Sequence, residues 1–185
     1  MTTLVITPPN SWREGLQRTE DAKRAAIEES SKLAPLQGTF LWSGKLLPGA
    51  LGPGAPEAEM SGQTESVWVN DGLYMLIQGD YRYSVQETSG SFWKFGYFLG
   101  YDPLAKRYRQ WLADNVGFAI KDCTLNETCL VVDFPPDARI VSGEHTIVFR
   151  QTYDWSDSTR LRNTFEIQVD GAEWVLVADL LGRRL

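Results

Sequence analysis

From Thr39 onward, apolar and polar side chains alternate with a period of two rather than 3.6. That pattern asks for strands and excludes a helical bundle. The runs are short, rich in aromatic and β-branched residues, and broken about every eight to twelve positions by turn formers, as in an antiparallel sheet. Strands are predicted over 39–47, 62–69, 73–86, 92–101, 107–113, 117–124, 128–134, 144–153, 161–169 and 174–181. Asn70-Asp71-Gly72 and Asp170-Gly171 tolerate positive φ, and 102–106 is long enough for a wider hairpin. A sheet of hairpin-joined strands leaves two unpaired edges unless it closes. The expected fold is therefore all-β, an antiparallel up-and-down barrel of 8–10 strands.

The first 35 residues differ from the rest and form an N-terminal extension (1–35) ahead of the barrel domain (36–185). Pro8-Pro9 interrupts the chain, Ser11-x-x-Glu14 has the form of a capping box, and Thr19-Glu20-Asp21 is predicted to start a helix running to about Leu33. Its apolar stripe is thin, made mainly of Leu16, Ala22, Ala26 and Leu33, which suits a cover better than a core helix. The segment 48–56 is rich in Gly and Pro, lacks the Gly-Lys-Ser/Thr ending of a P-loop, and reads as a surface connection.

Charged residues mark the outer face of each strand. In the third strand Gln78, Asp80, Arg82 and Ser84 share one parity, which turns Met75, Ile77, Gly79, Tyr81 and Tyr83 inward. In the fourth, Lys94 lies with Gly96 and Gly100, leaving Trp93, Phe95, Tyr97 and Leu99 inside. Arg107 and Arg109 likewise turn Tyr108, Gln110 and Leu112 inward, with Asp114 at the strand end. Glu144 and Arg150 oppose His145, Ile147, Phe149, Gln151 and Tyr153, while Arg162, Glu166 and Gln168 oppose Leu161, Asn163, Phe165 and Ile167. Phe40 and Trp42 are assigned inward; Trp68 and Trp174 stay unassigned.

Of the seven Trp, seven Tyr and eight Phe, many thus fall on the inward faces, beside the amides of Gln110, Gln151 and Asn163. An apolar concavity with a few convergent hydrogen-bonding groups is how small-molecule sites are built. A net charge of −6 and a pI near 4.9 argue against a nucleic-acid or anionic-membrane partner, and no apolar run reaches the length of a membrane span. The opening residues lack a basic n-region and a cleavage site, so the expected compartment is the cytoplasm. Cys123 and Cys129, on either side of a predicted turn, could face each other; in that compartment they are expected to stay thiols. The Asn126-Glu127-Thr128 sequon is uninformative without a secretory signal. A single histidine and no clustered cysteines leave no ordinary zinc site, and no metal is expected. A Ser-His-Asp mechanism would rest on His145 alone, and the acidic pairs Glu28-Glu29 and Glu57 with Glu59 lie in helix or loop, where they are solvated.

Leu36-Gln37-Gly38-Thr39-Phe40, Val67-Trp68-Val69-Asn70-Asp71-Gly72, Leu99-Gly100-Tyr101-Asp102-Pro103 and the run Tyr108 to Asp114 together resemble a widespread bacterial family of lipocalin-like barrels of unknown function. Phe40 stands where that family usually has tryptophan. The layout, a charged helical extension ahead of a calycin-type barrel, resembles the small β-barrel [4+2] cyclases (Diels-Alderases) of spirotetronate and tetronate polyketide antibiotic pathways. This resemblance implies an intramolecular cycloaddition of a polyene carrying a tetronate or tetramate ring, with no cofactor and with the helix as a lid. Such a reaction needs ordering of a flexible chain and polarisation of a conjugated carbonyl. Gln110, Tyr153 and Tyr83 are the expected catalytic residues, and Trp93, Tyr81, Tyr97, Gln151, Asn163, His145, Phe149 and Met75 the expected lining. The alternatives are a non-catalytic carrier of a hydrophobic small molecule and, since some similar ten-stranded barrels hold haem, a haem barrel with His145 as axial ligand. The expected partner is a hydrophobic small molecule, with a homodimer left open.

Overall fold

The computed structural model describes residues 10–50, 54–84, 92–114, 117–133, 140–142 and 145–185. Pro8-Pro9, Gln86, Phe134, Glu144 and residues 51–53 of the Gly/Pro loop lie outside the described residues. One helix, α1 (Asn10–Ser31), precedes the strands β1 (Gly38–Leu46), β2 (Ala58–Val69), β3 (Tyr74–Ser84), β4 (Phe92–Asp102), β5 (Arg107–Asp114) and β6 (Phe118–Leu125). β7 (Cys129–Asp133), β8 (Ile140–Ser142), β9 (His145–Asp154), β10 (Leu161–Val169) and β11 (Val175–Arg184) complete the chain. Pairing is antiparallel throughout and runs from β1 to β7, on to β9, β10 and β11, and back to β1, closing a ten-strand barrel. The short β8 escaped prediction because three residues carry no readable parity. It lies on the same edge of β9 as β7: Asp133 faces Arg150 and Ile140 faces Ile147, so β7 and β8 share one stave.

Turn chemistry matches the sequence. Asn70, Asp71 and Gly72 join β2 to β3 with φ of 51°, 59° and 88°, and Asp170 and Gly171 join β10 to β11 with φ of 51° and 75°. Asp102 Oδ1 accepts the N–H groups of Leu104 and Ala105 at 2.9 and 3.0 Å, which tightens the β4–β5 hairpin.

The helix departs from expectation in two ways. It starts at Asn10 rather than Thr19, because nothing between them but Gly15 opposes helix, and an interior glycine costs only about 1 kcal/mol. It also does more than cover the barrel. Ala26, Ser30 and Leu33 are fully buried, and Leu36 follows in a single 3-10 turn, so the helix end and the turn after it plug the end where β1 and β3 begin. Leu33 and Leu36 belong to the same apolar cluster as Phe40, Met75, Leu99 and Leu130.

Polar contacts fix the plug. The Ser30 hydroxyl donates to the Leu73 carbonyl at 2.9 Å and accepts the Tyr101 N–H at 2.9 Å, bridging the start of β3 and the end of β4. Tyr108 O–H donates to Glu29 Oε2 at 2.8 Å. Hydrogen bonds from Lys32 and Tyr108 hold the Glu29 carboxyl below its ordinary pKa. Close approach of the helix requires Gly100: a Cβ there would sit 2.6 Å from Tyr74 Cδ1, 2.9 Å from the Leu73 carbonyl oxygen and 3.3 Å from Ser30 Oγ. Gly100→Ala is expected to lower stability by about 2 kcal/mol, since backbone as well as side chain must move. Urea denaturation checks this, and a midpoint equal to wild type would mean the plug has slack.

Candidate functional site

Inside the barrel the predicted parity holds on β3, β4, β5 and β10 and over most of β9, and the aromatic side chains meet across the lumen. Tyr81 stacks on Phe95 at 5.3 Å between centroids, Phe95 on Tyr97 at 5.8 Å, and Trp93 tilts over Phe95 at 5.0 Å. A polar chain crosses this aromatic column. The Tyr97 and Tyr153 hydroxyls lie 2.6 Å apart, Gln151 Nε2 donates to Tyr153 Oη at 2.8 Å and to Asn163 Oδ1 at 3.1 Å, and Asn163 Nδ2 donates to Tyr81 Oη at 3.0 Å. Five of the predicted site residues, from four different strands, thus join in one buried network. Burial raises the pKa of Tyr81, Tyr97 and Tyr153, so these hydroxyls stay protonated.

This network satisfies itself. Tyr153→Phe removes the hydroxyl that Tyr97 and Gln151 share, leaves buried amide and phenol groups unpaired, and is expected to cost about 2 kcal/mol. A thermal melt compared with Tyr83→Phe checks it, because Tyr83 is only half-buried. Equal melts would dissolve the network's structural role.

The barrel is packed unevenly along its axis. Toward the plugged end Met75, Leu99, Leu130 and Asn163 have no exposure at all. Toward the opposite end, where β4 and β6 begin, the inward residues Tyr83, Trp93, Ala119, Ile147, Phe149 and Ile167 are half-buried. The lumen is thus more open to solvent in this half. Of the predicted lining, Trp93 and Phe149 are here, beside Tyr83 of the expected catalytic residues; Tyr81, Tyr97, Gln151 and Asn163 form the network; and Met75 belongs to the packed floor.

His145 is not an interior residue. It opens β9 at the rim, its side chain is 66% exposed, and its Nδ1 lies 2.7 Å from Asp170 Oδ2. The parity rule fails there because a strand's first residue is beyond the turn of the wall, where inward and outward faces both meet solvent. As an axial haem ligand within the barrel it is misplaced. The cysteines do not face each other either: Cys123 is buried and pairs with Val132, while Cys129 pairs with Asp154, and both are thiols.

Gln110 is 1% exposed, and its Oε1 is a buried acceptor with no partner among the described residues. Across the β5–β6 ladder its register partner is Lys121, which is also 1% exposed and which the sequence reading overlooked. Among the described residues, Lys121 is the one buried lysine or arginine. Burial drives its pKa down to about 7, against the opposing pull of Asp114 and Cys123. Asp114 also accepts the Trp93 indole N–H at 3.2 Å. A signal for Lys121 was present in the residues: Phe118 and Ile120 are 70% and 46% exposed, so β6 is inverted, with apolar groups outside and an amine inside. Parity carried from β5 through the hairpin would have revealed it.

No protein-family model matches the chain, and no curated protein sequence matches it. Among solved structures, the crystal structure of Rv2717c from M. tuberculosis is similar over 83% of this chain and 94% of that chain, at 12% identity and a TM-score of 0.49. The barrel is established by its own strand pairing. No helix among the described residues is long and apolar enough to cross a membrane.

Proposed function

We propose that the barrel binds an apolar small molecule whose anionic or carbonyl head reaches Lys121, with its body against Trp93, Phe149 and Tyr83. The observation that carries this reading is the inward lysine: an amine buried in an aromatic lumen costs stability, and strongly shifted titratable groups in concave sites are candidates for function. A carboxylate there would pair with the ammonium form and draw a proton onto it. Binding should therefore weaken as pH rises above about 7.

A polyene carboxylate such as cis-parinaric acid tests the reading by quenching of tryptophan fluorescence. The acid is expected to bind at least tenfold more tightly than its methyl ester, and Lys121→Met to abolish the difference. Equal affinity of acid and ester for wild type would end the proposal.

A cofactor-free [4+2] cyclase is the second reading, favoured by the same residue. Lys121 in its ammonium form is a donor for a carbonyl conjugated with a dienophile, a role the hydroxyl of Tyr153, bonded to Tyr97 and Gln151, is less free to play. Incubation with a linear tetronate-bearing polyene should yield an isomer of unchanged mass. Recovery of the polyene bound but unchanged favours a carrier.

A further inference from the structure

The outer wall of the barrel carries an apolar row that crosses five strands in register. Val67 on β2 faces Leu76 on β3, Leu76 faces Phe98 on β4, Phe98 faces Trp111 on β5, and Trp111 faces Ile120 on β6. All point outward, and Val67, Phe98 and Ile120 are 41%, 44% and 46% exposed. Two residues along each strand, the next row reads Glu65, Gln78, Gly96, Ala113 and Phe118. Its centre is small where the first row's centre is large. A Cβ on Gly96 would have open space, its nearest neighbour being Gln78 Cγ at 3.9 Å. A depression of about 690 Å³ adjoins this second row, lined by Glu65, Gln78, Lys94 and Ala113 among others.

We infer that this wall is the contact face of a homodimer, two barrels packing β4–β5–β6 against β4–β5–β6. A twofold axis lying in the contact plane, across the strands and between the two rows, exchanges them. It sets Phe98 of each copy over Gly96 of the other and Trp111 over Ala113, so that large side chains meet small ones at the centre of the patch, while Ile120 packs on Phe118 at its edge and a single patch pairs with itself. Phe98, Ile120 and Phe118, 44%, 46% and 70% exposed, supply the apolar part that a standard-size interface of ~800 Å² per partner needs. Charge points to the same occupant. The chain carries −6, yet Glu65 is the only charged residue in the two rows, so this is a face where two acidic copies approach with little repulsion. Arg107, Arg109, Asp102 and Asp122 are paired with one another beyond the first row, which gives the patch a neutral polar border.

Sedimentation equilibrium of the full chain is the test. The expected species at about 100 μM is twice the 20.9 kDa of one chain, with association tightened by added salt. Gly96→Arg fills the receiving dent without meeting its own backbone, and Phe98→Ser removes the projecting ring; each is expected to weaken association at least tenfold with unchanged circular dichroism. Leu181→Ser, on the exposed face of β11 away from the patch, is expected to leave the dimer intact. A monomeric wild type at that concentration overturns the inference, and so does a dimer that survives both Gly96→Arg and Phe98→Ser.

Discussion

At pH 6, Lys121→Met is expected to be more stable than the wild-type protein by several kcal/mol, and the difference should shrink as pH rises. A free lysine titrates near 10.4, whereas in the folded barrel burial lowers the Lys121 value to about 7. Between those values the unfolded chain holds a proton that the folded chain has released, so wild-type stability rises with pH through this window. Below pH 7 both forms are protonated, and the folded state carries the whole penalty, about 5 kcal/mol at 1.4 kcal/mol per pKa unit. Cys123 works in the opposite sense above about pH 8.5, because burial raises its pKa and the folded state keeps a proton that the unfolded thiol loses. Urea titrations at pH 6, 7 and 8 avoid that range. Wild type should gain about 1 kcal/mol between pH 7 and 8, and Lys121→Met should gain nothing over the same interval. A wild-type protein with no slope there would mean that the ammonium is fully compensated inside the barrel. That cost is the physical argument on which the proposed binding role of Lys121 rests.

The barrel itself was legible because its information is local. Asp80 and Arg82 mark the outer face of β3 without reference to any other strand, and one reliable parity then assigns Met75, Ile77 and Tyr81 together. Turn residues were equally legible at Asn70-Asp71-Gly72, where positive φ is a property of the residues themselves. The interior network was legible only as a set of inward polar groups. Which hydroxyl meets which amide depends on strand tilt and on the closure of β11 onto β1, and sequence spacing carries neither. Lys121 was missed for a related reason. Charge was used to mark the outside of a strand, and on β6 the charge at 121 marks the inside while Asp122 marks the outside; adjacent charged residues cancel the signal. His145 failed through position, since alternation constrains the middle of a strand far more than its first residue. The outer stripe of Val67, Phe98, Trp111 and Ile120 became visible only once the register was known, because each residue is isolated in its own segment.

A chain lacking residues 1–36 is expected not to form the barrel, although a thin-striped helix in the sequence suggests a detachable lid. Lids are drawn from the least stable parts of a structure, with few buried contacts. The end of α1 has the opposite character. Leu33 has no exposure and packs with residues of the barrel wall, Leu36 has 2%, and Ser30 satisfies a donor on β4 and a carbonyl before β3. Removing them opens the floor of the apolar cluster to water and leaves two backbone groups unpaired. A single substitution separates these views without truncation. Leu33→Ala is expected to cost about 3 kcal/mol, the usual loss for a fully buried leucine, whereas Lys32→Ala, on the exposed side of the same turn, is expected to change stability little. If denaturant unfolding of Leu33→Ala is displaced by less than 1 kcal/mol, α1 lies outside the cooperative unit and can open as a lid. If it is displaced by the full amount, the helix end is the barrel's floor, and the proposed ligand has only the other end, past Trp93, Phe149 and Lys121, by which to enter and leave.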